Sequence, residues 1–150
     1  MRASILALKR EPNISRRLAG LLYEAQTRVP LHDAEVIIPV PLHSSREQAR
    51  GFNQAALLAR DLARLNHLPI DEHTLFRSAE TVRHRVGMDA RARRDSVAHA
   101  FVVRCPELIA GRKVLLVDDV FTTGATVSAC AAALKAAGAK EVLVLTLARV

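Results

Sequence analysis

Between Val114 and Thr126 the chain reads Val-Leu-Leu-Val-Asp-Asp-Val-Phe-Thr-Thr-Gly-Ala-Thr. An unbroken apolar run with valine at both ends predicts a buried strand, and two adjacent carboxylates, Asp118 and Asp119, stand where it stops. The turn Thr122-Thr123-Gly124-Ala125-Thr126 follows, and an alanine-rich helix begins after it. Each part supplies something a phosphorylated sugar needs. Backbone N–H groups at a helix N-terminus, among residues small enough to admit a phosphate, bind the anion. The hydroxyls of Thr122, Thr123 and Thr126 add hydrogen bonds to its oxygens. The carboxylates accept hydrogen bonds from ribose hydroxyls. The alternative is an ordinary strand-to-helix turn, with a Thr/Gly cap and acids favoured by the helix dipole.

These residues need a sheet that ends at one rim, and the rest of the chain predicts it. Ser15 precedes Leu18, Leu21, Leu22 and Ala25 at helical spacing, which predicts an amphipathic helix of about three turns. Ile5–Lys9 reads as a shorter helix before Pro12. Glu35–Pro41 is the first strand, whose ladder ends near Pro39 and Pro41 because proline lacks an N–H. Ser44–Gln48 offers overlapping capping boxes, and Asn53 offers a cap for a helix over about residues 53–66. Short strands are expected at Thr74–Phe76 and Phe101–Val103, with a mobile crossover and a short helix around 89–95 between them. Strand Lys113–Val117, helix Gly124–Ala137 closed by Gly138, and strand Val142–Leu147 complete the order. Alternating strands and helices predict an α/β fold, with a mostly parallel twisted sheet of about five strands and helices on both faces. The 150 residues fit one domain, with a helical segment over 1–30 and a sheet core over 35–150.

Half of the residues are hydrophobic, yet no apolar stretch approaches the ~20 residues of a membrane span. The short Ala3–Leu8 run before Lys9-Arg10 is no secretory leader, so a cytoplasmic protein without a membrane partner is expected. Cys105 and Cys130 form no CxxC and read as structural. The net charge is +7, and six arginines between Arg77 and Arg94 face only Glu80 and Asp89, a local excess of +4. Polyphosphate and single-stranded nucleic acid both suit such a segment. With no Trp and one Tyr, a stacking platform for bases is poorly supported.

Val114–Thr126 resembles the signature of the type I phosphoribosyltransferases, which bind phosphoribosyl pyrophosphate (PRPP). The resemblance implies that Asp118 and Asp119 hold the ribose hydroxyls as catalytic residues. It implies that Thr122, Thr123, Gly124, Ala125 and Thr126 cradle the 5′-phosphate. It also implies a pyrophosphate loop after the first strand, here Pro41-Leu42-His43-Ser44, with Arg46 and Arg50 close behind. Val40-Pro41-Leu42-His43, the block Arg50-Gly51-Phe52-Asn53-Gln54, and Leu6-Ala7-Leu8-Lys9 upstream are similar to the ComF (GntX-like) branch of that family. This branch is connected, in naturally transformable bacteria, with handling incoming single-stranded DNA. Relatives typically begin with a four-cysteine zinc ribbon that this chain lacks, so no zinc is expected here. They also carry Thr-x-x-Gln and Arg-x-x-Asn elements where this chain has Thr81 followed by His84, and Arg93 followed by Ser96.

Two functions follow from the resemblance. One is transfer of the 5-phosphoribosyl group from Mg²⁺-bound PRPP to an acceptor with release of pyrophosphate, the Mg²⁺ arriving with PRPP and not in a protein cage. The other is a non-catalytic competence factor that handles single-stranded DNA or meets the competence machinery. A receiver-like acidic pocket is disfavoured, because the acids come near the C-terminus and precede a phosphate turn. The acceptor and the oligomeric state are not legible at this level.

Overall fold

The computed structural model describes residues 15–42, 51–78 and 100–150. Helix α1 (Ser15–Gln26) leads to strand β1 (Val36–Pro39) and then helix α2 (Gln54–Asn66). Two short strands follow, β2 (Leu75–Arg77) and β3 (Phe101–Val103). Strand β4 (Lys113–Phe121), helix α3 (Ala125–Ala136) and strand β5 (Glu141–Arg149) complete the order. The predicted helix at Ile5–Lys9, the capping boxes at Ser44–Gln48 and the helix around 89–95 lie outside the described residues.

β4 is the middle strand of a parallel sheet ordered β1-β4-β5. Ile38 pairs with Leu116 on one side, and Val117 pairs with Leu145 on the other. A single parallel bridge joins Ile37 to Ile70 along the outer edge of β1, through Ile37 N–H to Pro69 O at 2.8 Å and Asp71 N–H to Ile37 O at 2.9 Å. The five expected strands all form, but they do not share one sheet. β2 and β3 pair antiparallel with each other, Phe76 opposite Val102. Strands this short are held by cross-strand side chains. Here the Arg77 guanidinium lies 5.4 Å from the Phe101 ring, and Arg104 lies 3.7 Å from that of Phe76.

The unbroken apolar run of β4 follows from burial on both faces. Val114 and Leu116 face Val127, Cys130 and Leu134 of α3 together with Leu75 and Phe101. Leu115 and Val117 face Leu22 of α1 and Leu58, Ala59 and Leu62 of α2. Cys130 is a free, buried thiol, as read from its alanine-rich surroundings. In α1 Ala19, Leu22 and Gln26 are buried and the predicted Leu18 and Ala25 pack against the core, whereas Leu21, also expected on the stripe, is 54% exposed.

Several element ends differ from expectation, with β1 confined to Val36–Pro39 and β2 shifted to Leu75–Arg77. α3 runs one residue shorter at each end than expected. It closes with Gly138 at φ +97°, Gly138 N–H on Lys135 O and Ala139 N–H on Leu134 O, both at 3.0 Å. This is the paired-bond helix ending that glycine permits. β5 extends beyond Val142–Leu147 at both ends, and β4 continues past Val117 to Phe121. The two acids therefore sit within β4, because the long β5 goes on pairing with it, as Asp118 does with Thr146 and Val120 with Ala148. Among the described residues no helix is long and apolar enough to cross a membrane.

Candidate functional site

The unequal lengths of β1 and β4 decide where the site opens. β1 ends at Pro39, opposite Val117, and the last bond between the two strands runs from Val40 N–H to Val117 O at 2.8 Å. β4 continues, so Asp118 and Asp119 are its first residues beyond the reach of β1 while β5 still supports their other flank. The acids thus emerge at the carboxyl rim, where open α/β sheets bind ligands.

The Asp119 N–H donates to Asp118 Oδ1 at 2.8 Å, curling the first carboxyl toward the second residue. Burial, foremost, and then the neighbouring Asp119 charge push the Asp118 carboxyl up to about 7. The backbone bond pulls the other way and is outweighed. Burial, reinforced by the nearby Asp118 charge, also pushes the Cys130 thiol up, which leaves it protonated and unreactive.

The turn after β4 is shaped by one aromatic ring. Gly124 adopts φ +77°, and a Cβ there would stand 2.6 Å from Cζ of Phe121. Only glycine fits both the conformation and the space. Gly124 is also the N-cap of α3 and provides no side-chain cap. The first helical bond runs from Ser128 N–H to Gly124 O at 2.8 Å, so the N–H groups of Ala125, Thr126 and Val127 precede it. Thr123 Oγ1 accepts from Ala125 N–H at a long 3.4 Å. Thr122 and Thr123 are exposed and Thr126 is half-buried. Acids, hydroxyls and a helix N-terminus held only by the long Thr123 bond therefore lie at one rim.

On the β1 side, Pro41 and Leu42 are half-buried, while His43, Ser44, Arg46 and Arg50 lie outside the described residues. Asn53 ties this side down twice: its Nδ2 donates to Val40 O at 3.0 Å and its Oδ1 accepts from Ala55 N–H at 3.0 Å. The predicted cap of α2 is thus also a brace for the end of β1. A cleft of about 340 Å³ opens beside it, with Pro41, Leu42, Phe52 and Asn53 on one wall and Phe76 and Arg77 on another. Arg60 and Glu72 border it as a two-pronged ion pair at 2.7 and 2.6 Å. Reading by motif did not find Phe76, Glu72 or Arg60, since each lies in an unremarkable segment. The ring of Phe121 over Gly124 was signalled only by the glycine.

Residues 49–150 match the phosphoribosyl transferase domain family. Competence protein F of Haemophilus influenzae is 38% identical over 141 residues, covering 91% of this chain and 61% of that protein. The DNA utilization protein YhgH of Escherichia coli K12 is 35% identical over 136 residues, covering 91% of this chain and 59% of the relative. The chain therefore spans about three fifths of the length of these curated relatives. A glutamine PRPP amidotransferase from B. subtilis, solved with ADP and GMP, superposes with a TM-score of 0.59 over 87% of this chain and 25% of that one. At 21% identity this is a likeness of fold.

Proposed function

This chain belongs to the phosphoribosyl transferase domain family, in its ComF-like branch, and from that premise we propose that it binds Mg²⁺–PRPP at the carboxyl rim of β4. The observation that carries the reading is the N-terminus of α3, with no side-chain cap from Gly124 and its Ala125 N–H held only at 3.4 Å by Thr123, shortly after Asp118 and Asp119. The N–H groups of Ala125, Thr126 and Val127 hold the 5′-phosphate, with hydroxyls from Thr122, Thr123 and Thr126. Asp118 and Asp119 accept from the ribose hydroxyls. The Pro41–Ser44 loop and Arg50 hold the pyrophosphate, which the family resemblance assigns to that loop.

The two carboxylates fit the implied cation, since hard divalent ions take oxygen ligands and two acids leave most positions to the ligand and water. When bound, Mg²⁺ neutralises charge on the pyrophosphate oxygens. Everything else falls to the chain. Transfer breaks the bond from C1′ to pyrophosphate, whose oxygen keeps the electron pair, while an acceptor lone pair bonds to C1′. The sugar carries positive charge in between, and the fixed acids beside it stabilise that charge without reorganising. The acceptor supplies the lone pair that attacks C1′. We place this chemistry in the cytoplasm, where PRPP is available.

Calorimetry tests the reading. Asp119→Asn should weaken Mg²⁺–PRPP binding at least tenfold, about 1.4 kcal/mol. Equal affinity in wild type and variant would refute the assigned role.

The relatives' names favour a second reading, in which the PRPP fold serves a competence or DNA-utilization protein without turnover. The excess of +4 over Arg77–Arg94 supports it. Single-strand affinity should then fall steeply with salt. Binding that survives replacement of Arg83, Arg85, Arg91, Arg93 and Arg94 would exclude it. If PRPP displaces the oligonucleotide, both readings describe one site.

A further inference from the structure

The first residue of α2 is out of keeping with the face it occupies. Gln54 lies on the same helical stripe as Leu58 and Leu62, at i, i+4 and i+8. Those leucines are 0% exposed and fill the core against Ile37, Leu115 and Val117. Gln54 is itself only 2% exposed, and its Nε2 has no hydrogen-bond partner among the described residues. A buried donor without a partner is rare in folded proteins and calls for an explanation. Leucine or methionine would fill the position without that penalty.

Position within the fold supplies the explanation. α2 follows β1, so its N-terminus lies at the carboxyl rim. Helical side chains lean toward the N-terminus of their helix, so Gln54 leans from the end of the core toward that rim. On β4 the same core face carries Leu115 and Val117, and two residues on, at the spacing that keeps a strand residue on one face, comes Asp119. Asn53 locks the start of α2 to Val40, which fixes where Gln54 sits. Two columns of side chains, one from the helix and one from the strand, thus run out of the core and end in an amide and a carboxylate.

Resting on the PRPP reading above, we propose that Gln54 is a ligand-binding residue whose Nε2 donates a hydrogen bond to the sugar oxygen seated against Asp119. An amide suits the place because it adds a donor beside two acids without adding a third negative charge.

The proposal makes stability and binding move in opposite directions. Gln54→Leu and Gln54→Met should melt at or above the wild-type temperature, because they remove an unsatisfied donor. Both should bind Mg²⁺–PRPP and ribose 5-phosphate at least tenfold more weakly by calorimetry, with inorganic pyrophosphate affinity unchanged. A lowered melting temperature in both variants would mean that the amide is satisfied in the free protein, and would overturn the proposal. So would unchanged affinity for PRPP in either variant while the wild type binds. Failure of the wild type to bind PRPP would sink the site and Gln54 together.

Discussion

Asp118 is where this protein's stability and its ligand chemistry meet. An exposed aspartate titrates near 3.9, and in the folded chain burial and Asp119 push Asp118 up to about 7. Below pH ~4 the residue is protonated in folded and unfolded chains alike. As the pH rises, the unfolded chain releases the proton first, so the folded state loses stability steadily until about pH 7 and no further above it. Asp118→Asn should abolish that slope and be more stable than wild type at pH 8, by roughly 2–4 kcal/mol. Urea unfolding at pH 5 and pH 8 measures it, and a wild-type-to-variant difference that does not change with pH would contradict it. Gly124 carries the second prediction at this scale. Gly124→Ala must accept φ +77° and a Cβ 2.6 Å from the Phe121 ring. It should lose about 1–3 kcal/mol, and much of the loss should return with Phe121→Ala in a double-mutant cycle.

At the scale of elements, the site depends on where strands and helices start and stop. β1 ends at Pro39, β4 runs on to Phe121, and the difference exposes the acids. Asn53 is the joint between β1 and α2, and its two bonds can be separated. Asn53→Ala should destabilise by about 1–2 kcal/mol through loss of the cap and of the bond to Val40. Asn53→Ser keeps an acceptor for the Ala55 N–H but has no donor that reaches Val40 O, so it should lose less stability. Denaturant titration of both variants checks this, and equal losses would show that only the bond to Val40 matters. Much at this scale was legible. The cap at Asn53 and the closing Gly138 are local choices, made by residues within a turn of where they act. The strand ends of β4 and β5 were not, because each is extended by pairing with the other. Nor was the separation of β2 and β3 from the parallel sheet, since periodicity reports faces and not partners.

For the whole molecule, a parallel sheet packed by α1 and α2 on one face and α3 with the β2–β3 pair on the other offers a rigid rim. A ligand that binds only the folded chain should raise its melting temperature. Saturating Mg²⁺–PRPP at a hundred times its Kd adds about 2.7 kcal/mol. A thermal scan with and without the ligand would read this, and an unchanged melting temperature would argue against the site. The candidate site was legible to the extent that it is contiguous: Asp118 through Thr126 is one strand, one turn and one helix start, and its chemistry is carried by neighbours in sequence. The amino-acid order alone determined that unit, the α/β class and the family resemblance, because each rests on short-range patterns of size, charge and hydrogen-bonding groups. Only the tertiary structure decided that burial pushes the Asp118 carboxyl up, that Phe121 closes over Gly124, that Arg60 meets Glu72, and that the Gln54 Nε2 is buried without a partner among the described residues. Those properties arise from groups brought together across the fold, and burial and proximity are not written in local sequence.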